Sequence, residues 1–234
     1  MEVMPVYEVD DSDYAQYLVV FSHHHPLTNP IMNSLNRVRF RRVDKVTADD
    51  IHVADLVFVV DDGFDQTEFC KVKRKLALER NQFRLAFSQC ERHINRWYTV
   101  VDSVFLTKGE VETRNIISGL IESIELHGMV CVDFADIYSV FCNMKRSFFY
   151  HGIGEGKWRS VDAIDDAIAN RNFDCKTAMI ILQSGFEFTL DEFEMAANYF
   201  STKIPEDTCC VFGHRLDPNR IYEDRLEVMI FINE

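Results

Sequence analysis

Short, mostly apolar runs alternate with amphipathic stretches along the first half of the chain, and no other feature limits its possible folds as much. The runs are YLVVF (17–21), ADLVFVV (54–60) and FRLAFS (83–88). Each is too short for a buried helix and lacks the polar alternation of a half-exposed strand. Strands apolar on both faces belong inside a parallel sheet covered on each side. Between the second and third runs lies DQTEFCKVKRKLALER (65–80), where Phe69, Val72 and Leu76 fall on one helical face among charges. In RVRFRRV (37–43), Val38 and Phe40 face one way and Arg37, Arg39 and Arg41 the other, as in a half-buried strand. WYTVVDSVFL (97–106) reads as a further strand. Strands alternating with helices predict parallel crossover units and an α/β sheet.

The middle of the chain predicts a helix over 113–128, with Ile116, Ile117, Leu120, Ile121 and Ile124 forming the apolar stripe and Gly128 placed to stop it. Beyond it, the pattern predicts a helix over 136–150 with Asp136 as N-cap, a glycine-rich loop at HGIGEGKW, and a helix over 160–170. A strand over 177–184 and a helix over 189–204 follow, the helix opened by a Thr189/Glu192 capping box. Strands over 209–216 and 225–232 come last. The expected organisation is an α/β unit over 1–112, a linking helix over 113–128 and an α+β unit over 129–234.

The 234 residues carry a net charge of −13. That balance argues against a general nucleic-acid binder, which needs a basic face, and against docking on an anionic membrane. No run approaches the roughly 18 apolar residues of a membrane span, and MEVMPVYEVDDSDY lacks the apolar stretch of a secretory leader. The seven cysteines form no CxxC pair, which reads as reduced thiols, mostly core filler, in a cytoplasmic protein.

Several candidate sites have plain structural explanations. His23, His24 and His25 follow the first strand, where α/β proteins place ligands, but adjacent residues do not easily face one ion. They read as loop. Arg37, Arg39, Arg41, Arg42 and Lys45 read as a solvated basic face, with docking of an acidic partner as the lesser reading. Asp65 and Glu68 have capping-box spacing, which is favoured over a metal site. GIGEG (152–156) follows no expected strand and so fails as a dinucleotide loop.

Several stretches together resemble the FtsZ/tubulin superfamily, and bacterial FtsZ in particular. VDFADIYSVF is similar to the FtsZ loop written N-V-D-F-A-D, SGFEFTLDEF to A-G-F-D-L-R-L-D-E-F, and VFGHRLDPN to V-I-G-T-S-L-D-P. ADLVFVV and VDSVFLTKGE resemble first-half strands of the family more weakly. The resemblance implies a shortened Rossmann-like nucleotide-domain sheet, a central core helix and an α+β C-terminal domain. It also implies that Asp133 and Asp136 correspond to the aspartates that FtsZ presents to nucleotide held by a neighbouring subunit. Cys131 stands where the family has Asn, and a thiol does not reproduce an amide's hydrogen bonds.

The glycine-rich loops of the family have no counterpart. The strand at 54–60 leads into DDGFDQTE, and Gly63 is the one glycine within residues 1–108. A phosphate cradle needs converging backbone N–H groups and the close approach that glycine permits. Asp61, Asp62, Asp65 and Glu68 would instead repel the anion. The expectation is therefore a non-GTPase, with no cofactor and no metal. It would dock on FtsZ or another tubulin-like filament protein through Cys131, Asp133, Phe134 and Asp136, and cap or remodel its filaments as a division regulator. Two alternatives stay open: a divergent GTPase that itself polymerises, with Mg²⁺ held by carboxylates, and a self-associating structural module. The resemblance further implies that the adaptor-recruiting tail of FtsZ has no equivalent after LEVMIFINE.

Overall fold

The computed structural model describes residues 15–22, 37–78, 82–126, 128–169, 171–217 and 224–233. The His23–His25 run and the reading of IMNSLN (31–36) as a helical turn lie outside them. In chain order the elements are β1 (Tyr17–Phe21), β2 (Val38–Arg42), α1 (Ala48–His52), β3 (Leu56–Asp61), α2 (Gln66–Leu76), β4 (Phe83–Ser88), α3 (Glu91–Trp97), β5 (Ser103–Leu106) and α4 (Glu110–Glu125). Then come α5 (Phe134–Phe141), β6 (Arg146–Glu155), α6 (Arg159–Ile168), β7 (Thr177–Ser184), α7 (Leu190–Ser201), β8 (Cys209–Leu216) and β9 (Arg225–Asn233).

The nine strands form one sheet in the order β2-β1-β3-β4-β5-β6-β9-β7-β8. From β2 to β6 every neighbouring pair is parallel; β9 runs antiparallel to both β6 and β7, and β8 is parallel to β7. The period of two explains the strands that are apolar on both faces. Tyr17, Val19, Phe21, Leu56, Phe58 and Val60 project into one core, whereas Leu18, Val20, Val57 and Val59 project into another. The second core is closed by Phe69, Val72 and Leu76 of α2 and by Ile94 and Trp97 of α3. The first is closed by Ile116, Ile117, Leu120 and Ile121 of α4 and by Ile137, Val140 and Phe141 of α5. It extends to Met179, Ile181 and Phe231, so both halves of the chain share it. A third core lies on the far face of the C-terminal strands, under α6 and α7.

Four expectations need correction. Residues 97–102 are not strand: Trp97 ends α3, and β5 is only Ser103–Leu106. Apolar WYTVV looked like a strand because Trp97 and Val100 are buried, but they are buried from a helix end and a turn. The expected helix over 136–150 is α5 followed by β6, a ten-residue strand. Phe148 and Tyr150 join the third core while Phe149 joins the first, an alternation that the flanking helical pattern hid. The glycine-rich loop is also part of β6. A Cβ on Gly152 would lie 2.1 Å from the Ala163 carbonyl oxygen, and one on Gly154 would lie 2.0 Å from that of Arg159, so these glycines let α6 lie directly on the strand. Finally, Gly128 does not stop the central helix. Helix α4 ends at Glu125, with Leu126 already extended (φ −100°, ψ 132°).

Candidate functional site

Two places carry the sequence-derived candidates, and α4 separates them. Its first turn follows β5, at the edge where the parallel strands end. Its last turn meets the start of β1, where the Tyr17 hydroxyl donates to Glu125 Oε1 at 2.8 Å and Arg37 pairs with the same carboxylate. A helix of 16 residues spans about 24 Å. The crevice at the C-terminal ends of β1 and β3 therefore lies beyond one end of α4, and the loop carrying Asp133 beyond the other.

The crevice is where strand order reverses, the place at which open α/β sheets hold ligands. Here the chain's own side chains occupy it. The Ser22 amide donates to Asp62 Oδ1 (3.1 Å), and the Ser22 hydroxyl donates to Glu68 Oε1 (2.6 Å). Glu68 also belongs to the expected capping box: its amide donates to Asp65 Oδ1 (2.7 Å), and the Asp65 amide donates to Glu68 Oε2 (3.1 Å). Carboxylates thus take the Glu68 amide in the first turn of α2 and the amide of its N-cap Asp65, at the place an anionic ligand would otherwise use. Gly63, at φ +117°, makes the turn that brings the chain from β3 to this cap.

Asp61 departs from the expected repulsive cluster. Its side chain is fully buried and turned to the α3 side of the sheet. Oδ1 accepts from the Phe64 amide (2.9 Å), and Oδ2 accepts from Trp97 Nε1 (2.8 Å) and Arg96 Nη2 (2.8 Å). One buried carboxylate is thereby neutralised and ties β3 to α3. Arg96 and Trp97 were not legible as its partners, because no local pattern links residues 35 and 36 positions apart. No group of three or more His, Cys, Asp or Glu suited to a metal occurs among the described residues. The basic face is paired internally: Arg41 and Arg39 reach Asp50, Arg42 reaches Asp44, and Arg37 reaches Glu125.

At the other end of α4, Asp133 is the N-cap of α5 in place of the expected Asp136. Its Oδ1 accepts from the Asp136 amide (2.9 Å), and its own amide donates to Asp136 Oδ2 (2.9 Å). The two aspartates form one reciprocal capping box, which places both carboxylates side by side at a helix start. Cys131 is exposed and its thiol reaches the Gly128 carbonyl (3.7 Å). Phe134 is half-buried, its ring edge-on to Phe83 (centroids 6.2 Å apart). Tyr138, one turn further along α5, is 47% exposed and also packs on Phe83 (5.3 Å). Its i, i+4 spacing from Phe134 is the signal that would have added it to the candidates.

The loop before α5 is fixed to β8. A Cβ on Gly128 would fall 1.7 Å from the His214 carbonyl oxygen. The Met129 amide donates to His214 Nδ1 (3.0 Å), and the His214 amide donates to the Val130 carbonyl (2.8 Å). Because Nδ1 accepts, Nε2 carries the proton and donates to the Ser184 hydroxyl (2.9 Å). The ring stacks on Phe188, with centroids 4.5 Å apart and planes at 4°. Burial lowers the His214 pKa to about 4, so the ring is neutral near pH 7.

Known proteins share this architecture. No family model matches the chain. In sequence, it is 30% identical over 122 residues to the cell division protein FtsZ of Wigglesworthia glossinidia brevipalpis, covering 50% of this chain and 32% of that protein. It is 29% identical over 122 residues to FtsZ 2 of Thermococcus kodakarensis, covering 50% and 29% respectively. The matched stretches thus span about a third of each relative's length or less. In structure, an FtsZ of M. jannaschii superposes with a TM-score of 0.74 over 94% of this chain and 91% of its own, at 13% identity. CetZ2 of Haloferax volcanii, solved as a GTPγS-bound protofilament, gives 0.56 over 87% and 70%, at 12% identity. The fold is that of the FtsZ/tubulin superfamily. Asp133 and Asp136 follow α4 in the chain, at the start of α5. Among the described residues no helix is long and apolar enough to cross a membrane.

Proposed function

We propose that this FtsZ-like protein is a non-GTPase regulator of FtsZ or of another tubulin-like filament, docking through the loop and helix start that carry Cys131, Asp133, Phe134 and Asp136. One observation carries the reading: the crevice at the β1/β3 ends is closed by Ser22, Asp62, Asp65 and Glu68, whereas the loop end keeps its paired carboxylates at the surface. A guanine nucleotide entering the crevice would have to displace the Ser22–Glu68 bond and sit against three carboxylates. Each like charge at about 4 Å costs roughly 1 kcal/mol in water, and more where water is excluded. A head-to-tail filament requires two complementary faces on each subunit. A subunit that offers the loop face without a nucleotide face adds to an end and stops growth there. The proposed setting is the cytoplasm, with no bound cofactor.

The test mixes the protein with FtsZ and GTP and measures polymer mass, filament length and GTP turnover. Shortened filaments are expected with the native chain. No effect is expected with Asp133→Asn plus Asp136→Asn, which keeps the helix cap but removes both charges. Equal activity of the double variant would refute the site.

The shared fold with CetZ2, whose solved form is a nucleotide-bound protofilament, favours a second reading in which this chain polymerises by itself. Sedimentation of the protein alone with GTP and Mg²⁺ separates the two.

A further inference from the structure

Beyond the residues at the docking surface, we propose that His214 is a positioning residue for the docking loop, a role that rests on the filament-docking reading above. His214 grips two successive loop residues in opposite senses. Its Nδ1 accepts from the Met129 amide (3.0 Å), and its own amide donates to the Val130 carbonyl (2.8 Å). The bare backbone of Gly128 lies against its carbonyl, where a Cβ would come within 1.7 Å. One residue earlier, Gly213 leaves room for Val132, whose Cγ2 would lie 2.3 Å from a Cβ there. Residues 128–132 are thereby laid along β8, and Asp133 follows immediately as the N-cap of α5.

The ring is itself held on three sides. Phe188 stacks on one face, the Ser184 hydroxyl accepts from Nε2, and the whole side chain is 5% exposed. Ser184 passes the chain of bonds on by donating to the Gly185 carbonyl (3.1 Å). A buried ring stacked on Phe188 and bonded at both nitrogens sets the direction of the Met129 amide, and a constellation is only as well placed as its support. In the stretch that resembles V-I-G-T-S-L-D-P, His214 falls where the FtsZ pattern has Thr. The gripping ring is therefore a feature of this chain and not of the pattern.

Two near-isosteres separate the grip from mere space-filling. In His214→Asn, Oδ1 falls near the place of Nδ1 and still accepts from Met129. In His214→Gln, the amide falls near Nε2, keeping Ser184 but leaving the Met129 N–H without its acceptor. Hydrogen exchange of the Met129–Asp133 segment and co-sedimentation with FtsZ filaments are measured for both. The expected result is exchange at least about tenfold faster and filament binding at least about tenfold weaker in His214→Gln, with His214→Asn close to the native protein. Unchanged exchange in His214→Gln would overturn the grip. Faster exchange with unchanged binding, or equal losses in both variants, would overturn its positioning role. Failure of the native chain to sediment with FtsZ would sink the docking reading and this role with it. Native binding that neither variant alters would sink the role of His214 alone.

Discussion

The two ends of α4 use the same residue types for opposite purposes. Beyond its first turn, carboxylates are turned inward or tied down: Asp61 holds Arg96 and Trp97, Asp62 takes the Ser22 amide, and Glu68 takes the Ser22 hydroxyl. Beyond its last turn, the Asp133 and Asp136 carboxylates bond, among the described residues, only each other's backbone amide and stay at the surface. A capping box occurs at both ends, Asp65/Glu68 and Asp133/Asp136. What differs is the neighbour. At the crevice a serine at the end of β1 closes over the box, while at the loop nothing among the described residues does. Acidic residues at a helix start therefore say little about function until the strand beside them is known.

The largest expected effect strikes the closed end. Asp61→Ala leaves Arg96 and Trp97 Nε1 without their buried acceptor and should cost about 3 kcal/mol in chemical denaturation, the scale for breaking a buried charged pair. A loss below about 1 kcal/mol, as for a surface pair, would mean that the crevice side is not organised around this carboxylate.

Acid should act next, on the loop end. The folded pKa of His214, about 4, lies below the ordinary value of 6.5, so its contribution is fully present above pH 6.5. It is lost as the pH falls from 6.5 towards 4, because the unfolded chain takes up a proton there that the buried ring does not. The loss is on the order of 2 kcal/mol once solvent screening is allowed for. Stability measured against pH in the native protein minus that in His214→Asn should show a step in this window, and a flat difference would contradict the assignment.

Legibility of the sequence divides along the same line. Features contained in a few consecutive residues could be read directly: the Asp65/Glu68 and Thr189/Glu192 boxes, the α4 stripe, and the apolar strands whose alternate residues feed two cores. Features that depend on a distant partner could not. Gly128 has the sequence context of a helix stop, but its reason is the carbonyl of His214, and Gly152 and Gly154 look like loop because the helix that needs them comes later. The N-cap of α5 lies three residues before the expected Asp136: Asp136 and Asp133 have equal capping chemistry, and only the extended backbone at Asp133 (φ −108°, ψ 179°) decides between them.

Smaller effects sharpen the contrast. Gly128→Ala forces the loop away from β8 and should cost about 1–3 kcal/mol, with weakened filament binding and an unchanged crevice. Asp133→Ala should cost about 1 kcal/mol as a lost N-cap, whereas Asp133→Asn should stay within a few tenths while still losing filament activity. If the Asn variant keeps full activity, capping alone is the role of Asp133.

The most direct test of the lopsided molecule is the mean length of FtsZ filaments, imaged with GTP and a substoichiometric amount of this protein. The account predicts shorter filaments in proportion to the protein added, and no polymer from the protein by itself. Filaments of unchanged length, or mixed filaments carrying this chain along their interior, would contradict it.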